Sequence, residues 1–216
     1  MITRAEIAAA TVAICLSMST LATAAPVWLV GGTFGGGSYS NQRFNDLQLR
    51  GTSIKSGREF GASLRCELSS RWAIELEATH MHGSATTATR TSPFNLPKTI
   101  HTEATAIPLN AIFRFAGIGR ASLRVLAGGG LLTGARWRST WSDVTELDQS
   151  SKAVTRPYGQ AGLEAAWRPH DKFEVTGRVL GRLAQANHVL TVDGSDLAID
   201  HTGVAFALGA RFGLAL

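Results

Sequence analysis

The chain has 216 residues, with 21 Lys+Arg against 16 Asp+Glu and a formal net charge of +5. That length suits one domain or two small ones, and the positive balance raises the question of a polyanionic partner. Nucleic acid is set aside, because the arginines are spread along the whole chain rather than clustered in a basic stripe with aromatics between them, and only Lys55, Lys98, Lys152 and Lys172 are lysines.

The opening stretch "MITRAEIAAATVAICLSMSTLATAA" has a charged start with Arg4, an apolar middle, and the small residues Ala22-Thr23-Ala24. This is the layout of a secretory signal peptide with an A-x-A cleavage site. Residues 1–24 are therefore expected to be removed, leaving 25–216 as the working domain. Cys66 is then the lone cysteine, so the fold must hold without an intrachain disulfide. No later apolar run is long enough for a transmembrane helix.

"PVWLVGGTFGGGSY" reads as a first strand of ambiguous parity, followed by a loop to about Gly57. In "EFGASLRCEL", Phe60, Ala62, Leu64, Cys66 and Leu68 share one face, against Glu59, Arg65 and Glu67 on the other. "RWAIELEATH" sets Trp72, Ile74, Leu76 and Ala78 against Glu75, Glu77 and Thr79, and only Ser69, Ser70 and Arg71 separate these two strands. Such period-two alternation around a short polar link is a hairpin signal. "GSATTATRTSPFNLPK" reads as a loop.

Residues 103 to 116 then alternate, with Ile107, Leu109, Ala111, Phe113 and Phe115 opposite Asn110 and Arg114, and Pro108 on the polar face. After the turn "AGIGR", Leu123, Val125, Ala127 and Leu131 oppose Ser122, Arg124, Gly128 and Gly130. A loop from about Arg138 to Val154 precedes Ala161, Leu163, Ala165 and Trp167, which oppose Gln160, Gly162, Glu164 and Arg168. Past the turn "RPHDK", Phe173, Val175, Val179 and Leu183 oppose Glu174, Thr176, Arg178 and Arg182. The loop "QANHVLTVDGSDLAID" leads into "GVAFALGARFGLAL".

This gives eight strands, four long loops on one side and three tight turns on the other, with both termini on the turn side. That rhythm describes an all-β, antiparallel, up-and-down transmembrane barrel. A secreted lipocalin-like barrel has the same strand number with its apolar face inward. The polar faces favour the membrane reading. They carry arginines and carboxylates but no lysine, and a planar guanidinium suits a crowded interior paired with carboxylates. Arg65, Arg114, Arg124, Arg168, Arg178, Arg182 and Arg211 are expected to pair there with Glu67, Glu75, Glu77, Glu164 and Glu174. Arg65 should face Glu75 or Glu77 across its hairpin, and Arg168 should lie beside Glu174. Phe60, Trp72, Phe113, Phe115, Trp137, Trp167, Phe173 and Phe212 sit near strand ends on the apolar faces, as interfacial aromatic girdles do.

With its signal peptide, its loop rhythm, the Gly-rich strands "VLAGGGLL" and "YGQAGLEAAW" and its terminal strand, the chain resembles the small eight-stranded outer-membrane barrels of Gram-negative bacteria, related to the transmembrane domain of outer membrane protein A. The resemblance implies an outer-membrane location, with loops outside and both termini periplasmic, outer-membrane lipids as neighbours, and insertion by the barrel assembly machinery. In that family the last strand carries the assembly signal and usually finishes on Phe. Here the matching positions are Phe212, Leu214 and Leu216, and Arg211 stands where a glycine is usual. Some barrels of this shape modify lipid A, for which His80, His82 and Ser84, with His101 and Glu103 near them, are the candidates. The favoured expectation is a non-enzymatic barrel whose Arg/Glu network plugs the lumen and whose loops could take a surface ligand. A lipid A-modifying enzyme and a narrow ion channel are the alternatives. His80, His82 and His101, or His188 and His201, could converge, but a zinc site needs three or four ligands and supporting groups. No metal or cofactor is expected.

Overall fold

A sheet with one hydrocarbon face can satisfy all its edge groups in lipid only by curling until its first and last strands pair. The computed structural model shows that closure. It describes residues 27–39, 43–44, 56–88, 97–141, 149–150, 153–184, 197–198 and 202–214. The long strands are β1 (Val27–Tyr39), β2 (Ser56–Glu67), β3 (Trp72–Ala88), β4 (Pro97–Ile118), β5 (Ala121–Trp141), β6 (Val154–His170), β7 (Phe173–Ala184) and β8 (Gly203–Leu214). Each pairs antiparallel with its neighbours in sequence, and β8 closes onto β1 with Trp28 opposite Leu214. The tight connections hold Leu68 to Arg71, Gly119–Arg120 and Asp171–Lys172. In the first of these, the Leu68 and Ser69 amides both donate to the Trp72 carbonyl. At the other end, Arg43–Phe44 pairs with Leu197–Ala198, tying the first long connection to the last.

The register fixes the shape. Starting at Leu29 and stepping from partner to partner, the row passes Arg65, Glu75, Asn110, Gly128, Gln160, Arg182 and Gly203. It returns to β1 at Tyr39, ten residues beyond its start. An eight-stranded barrel with that stagger has strands tilted about 40° from its axis, so each residue climbs about 2.5 Å. The tilt brings Trp28, Trp72, Phe113, Trp167, Phe173 and Phe212 to one level at the turn end, outside the wall. Within that ring the Trp72 and Phe113 centroids are 4.8 Å apart, and those of Phe173 and Phe212 are 5.0 Å apart. Leu131, Leu183 and Val204 mark the upper edge of the apolar band, about 22 Å higher, close to the height of the hydrocarbon belt on outer-membrane barrels. Above that edge the outward residues turn polar, with Ser38, Arg58, His82 and Thr105.

The alternation is oriented without ambiguity. Phe34, Leu76, Leu163, Leu183, Phe206 and Leu208 are all at least half exposed on the outside, while Arg65, Glu75, Glu164 and Glu174 are fully buried. A soluble protein rarely exposes a contiguous apolar patch of more than a few hundred Å²; here the patch encircles the molecule. A lipocalin-like carrier would need the reverse arrangement. The first strand's parity is also fixed: Leu29 is buried inside, whereas Val30 and Phe34 face out.

Four expectations are corrected. First, the Thr-rich segment expected as a loop from Gly83 to Lys98 is ladder over Gly83–Ala88 and Pro97–Lys98, since β3 and β4 stay paired as far as Ala88 and Pro97. Polarity there marks where the outer face leaves the hydrocarbon level, and threonine remains a good strand residue. Lys98 thus lies in a strand, and β5 likewise continues past Arg138 to Trp141.

Second, Trp137 faces inward and is buried. An extra residue in β5, between Leu132 and Ala135, shifts the pairing with both neighbours. Gly134 takes φ 63 there. A bulge of this kind inverts the parity of everything after it.

Third, the interior is not polar throughout. Met81, Ala104, Ala106, Leu132, Ala135, Tyr158 and Ala184 form a buried cluster toward the loop end, and Ile112, Leu126 and Leu180 pack inside lower down. Fourth, Arg114 stays out of the charge network, as described below.

Candidate functional site

The interior charges arise because inward positions on adjacent strands carry opposite signs at matched register. Arg65 faces Glu75 across the β2–β3 hairpin, and its Nε donates to Glu75 Oε2 at 3.0 Å. Cross-barrel contacts then join what sequence keeps apart. Arg65 forks onto Glu164 with Nη1 and Nη2 at 2.9 and 2.8 Å. Arg178 reaches Glu164 (2.7 Å), Glu77 (3.0 Å) and Glu75 (2.5 Å) with its three nitrogens. Arg211 donates to Glu174 and Glu164, each at 3.1 Å, and lies 2.9 Å from Glu75. Arg124 donates to Glu164 at 2.8 Å and to Glu174 at 2.7 Å. At the turn end, Arg168 bridges Glu67 (2.5 Å) and Glu174 (3.0 Å). Above the main group, Arg182 pairs with Glu59.

Among the described residues, six guanidiniums (Arg65, Arg124, Arg168, Arg178, Arg182, Arg211) thus meet six carboxylates (Glu59, Glu67, Glu75, Glu77, Glu164, Glu174), and the charges of this network sum to zero. A charge left unpaired in such a dry site costs several kcal/mol, and bidentate arginine–carboxylate contacts are the geometry that offsets the loss of water. Polar side chains continue the network upward. Asn110 and Thr79 donate to Glu77, Gln160 donates to Asn110 at 2.9 Å, and Tyr158 donates to Gln160 at 2.9 Å. Tyr158 also belongs to the apolar cluster, so the polar filling passes directly into a hydrocarbon one.

Glu59, Asn110, Gln160 and Tyr158 were not anticipated as members. Their inward parity was readable, but their partners lie on strands whose relative heights depend on the stagger. Room for Arg211 comes from its partner Gly31, where a Cβ would lie 2.5 Å from Arg211 Cγ. Arg114 makes no ion pair among the described residues. It lines a vestibule of about 300 Å³ at the turn end, and its guanidinium lies against the backbone of Gly117.

The histidine group lies on the outer wall at the upper edge of the apolar band. His80 Nδ1 is 3.2 Å from Thr105 Oγ1, and the His80 ring packs against Phe60 at 5.0 Å. His82 and His101 stack with centroids 5.6 Å apart. Glu103 is engaged elsewhere: Arg136 donates to it at 2.7 and 3.0 Å, and that hydrogen bond holds its carboxyl below the ordinary range. Ser84 pairs in register with His101, yet no hydrogen bond joins it to a histidine among the described residues. Nor do three His, Cys, Asp or Glu converge among those residues as a metal group. His188, His201 and Leu216 fall outside the described residues, as does the expected signal peptide. Phe212 and Leu214 face outward on β8.

The chain resembles solved barrels in fold. It matches the outer membrane protein OprG of Pseudomonas aeruginosa with a TM-score of 0.56 and 11% identity over 89% of this chain and 97% of that one. The attachment invasion locus protein Ail of Yersinia pestis is matched at a TM-score of 0.47 and 15% identity, over 88% and 98%. Outer membrane protein W of E. coli is matched at 0.44 and 18% identity, over 88% and 100%. No curated protein matches the chain. The family model for the outer membrane protein beta-barrel domain matches residues 8–215. Nearly the whole sequence is thereby accounted for, and the chain belongs to the outer-membrane β-barrel domain family.

Proposed function

We propose that this protein is a sealed outer-membrane barrel, without enzymatic activity, that contributes to envelope structure or surface contacts. Its long connections face the outside and its turns and both termini face the periplasm, where the assembly machinery meets Phe212 and Leu214 on the last strand. The observation that carries the reading is the charge-balanced network of six arginines and six glutamates among the described residues, capped by the Met81–Leu132–Tyr158 cluster. Opening a path for ions requires separating several buried pairs together and then wetting hydrocarbon, so the filling acts as a plug. The lipid A-modifying alternative lacks support, because a Ser–His–acid relay depends on a hydrogen-bonded chain and Ser84 takes no part in one among the described residues. Reconstitution into planar bilayers tests the plug: no steady conductance is expected, and sustained single-channel steps would overturn it. Mass spectra of lipid A from cells with and without the protein are expected to be identical.

A further inference from the structure

Two hollows share a border near the turn end, the first on the outside of the wall and the second at its rim, where Arg71 and Arg114 also line the vestibule that holds Glu67, Asp171 and Glu174. The first, about 490 Å³, is almost wholly apolar. It arises from one hydrogen-bonded row, Leu123–Ala165–Gly177–Leu208, in which two small residues stand between two leucines. The row above, Val125–Leu163–Val179–Phe206, is bulky throughout and closes the top. Below, the hollow opens past Trp167 to Ala116 and Gly117. The second hollow, about 420 Å³, begins at those same two residues and is lined by Ser70, Arg71, Phe113 and Arg114. It exists because Phe115 is the extra residue of a bulge in β4, which returns Ala116 to the outer face opposite Leu123, with Gly117 beside it opposite Ser122. Among the described residues no carboxylate lines either hollow. Arg71 is exposed, its carbonyl accepts from the Arg114 amide at 2.8 Å, and neither guanidinium has an ion-pair partner among the described residues.

We propose that this paired hollow is a binding site for one anionic phospholipid of the leaflet at the turn end. An acyl chain fills the Ala165–Gly177 trough, and the headgroup phosphate meets Arg71 and Arg114 between Phe113 and Phe115. An apolar trough ending in two arginines without an ion-pair partner among the described residues, at the level of the aromatic ring, has the charge and polarity order of such a lipid. The site goes beyond the sealed-barrel reading: a conducting barrel would leave it intact.

The test is native mass spectrometry of the refolded full barrel with phosphatidylglycerol, against phosphatidylcholine of the same chains. The wild type is expected to retain one phosphatidylglycerol. Arg71→Gln combined with Arg114→Gln should lower the retained fraction about tenfold, with phosphatidylcholine retained weakly by both. Gly177→Leu, which fills the trough from the outside, should lower it likewise. Heat-modifiable gel migration checks that each variant is folded, and the single change Arg71→Gln on the exposed turn serves if the double variant is not. Equal retention of the two lipids, retention unchanged in the arginine variants, or retention unchanged in Gly177→Leu each overturns the site as stated.

Discussion

Glu164 accepts from Arg65, Arg124, Arg178 and Arg211 at once and is fully buried. Replacing it with glutamine conserves shape but leaves the interior with one excess positive charge among four guanidiniums. Breaking a buried pair from one side costs about 3–5 kcal/mol, so Glu164→Gln should lower the unfolding midpoint in urea sharply. Arg136→Gln removes a pair of similar length, but its arginine side chain is 57% exposed. Water and salt screen that contact, and its loss should cost less than about 1 kcal/mol. Equal losses from the two variants, measured on folded protein in the same detergent, would show that the interior network is wet rather than sealed. Part of this contrast is legible in the sequence. The three polar residues between β2 and β3 leave little freedom of register, so Arg65 opposite Glu75 and Arg168 beside Glu174 could be read directly. Arg65 meeting Glu164, 99 residues away, could not. That contact follows from the stagger of the closed barrel, which no local pattern encodes.

At the scale of the strand, the sequence carries parity well and bulges poorly. Inward and outward sets follow from alternation until a strand gains a residue, and then every later assignment inverts. Trp137 is the case in point: its spacing from Leu131 places it with the lipid-facing residues, yet it lies inside. The clue was Gly134 in the middle of a strand pattern, which marks a bulge or a close approach. With φ at 63, this position is in the left-handed region. Gly134→Ala keeps the register but strains it, at a cost of about 1–2 kcal/mol, whereas alanine at Gly159, where a Cβ would meet nothing nearer than 3.9 Å, should be close to neutral. Comparing the two by urea unfolding tests whether the bulge is required. If both alanines behave alike, the bulge is incidental and Trp137 is held inside by packing alone. The length of β3 and β4 eluded the sequence for a different reason: a ladder continues wherever backbones can pair, and the change from apolar to threonine records only a change of solvent.

For the molecule as a whole, the asymmetry between its two ends decides how it sits. At one end the wall stops within about five residues of the Trp28–Trp72–Trp167 ring, and the connections are a few residues long. At the other, β3, β4 and β5 continue well beyond the apolar band. A membrane about 25 Å thick in hydrocarbon leaves the turn end nearly flush and the loop end projecting. The proposed orientation puts the projecting end outside the cell and the short turns in the periplasm. This orientation can be read with single cysteines at exposed positions, Ala153→Cys at the loop end and Asp171→Cys at the turn end. Cys66, buried between Trp28 and Ile74, is a silent background in both. A membrane-impermeant maleimide applied to intact cells should label Ala153→Cys and leave Asp171→Cys unmodified until the outer membrane is broken. The opposite pattern would invert the molecule, placing the histidine wall in the periplasmic leaflet and the Arg71–Arg114 hollow at the cell surface. The charge network, being internal, would be unaffected. The labelling therefore tests the orientation of the barrel separately from whether it is sealed.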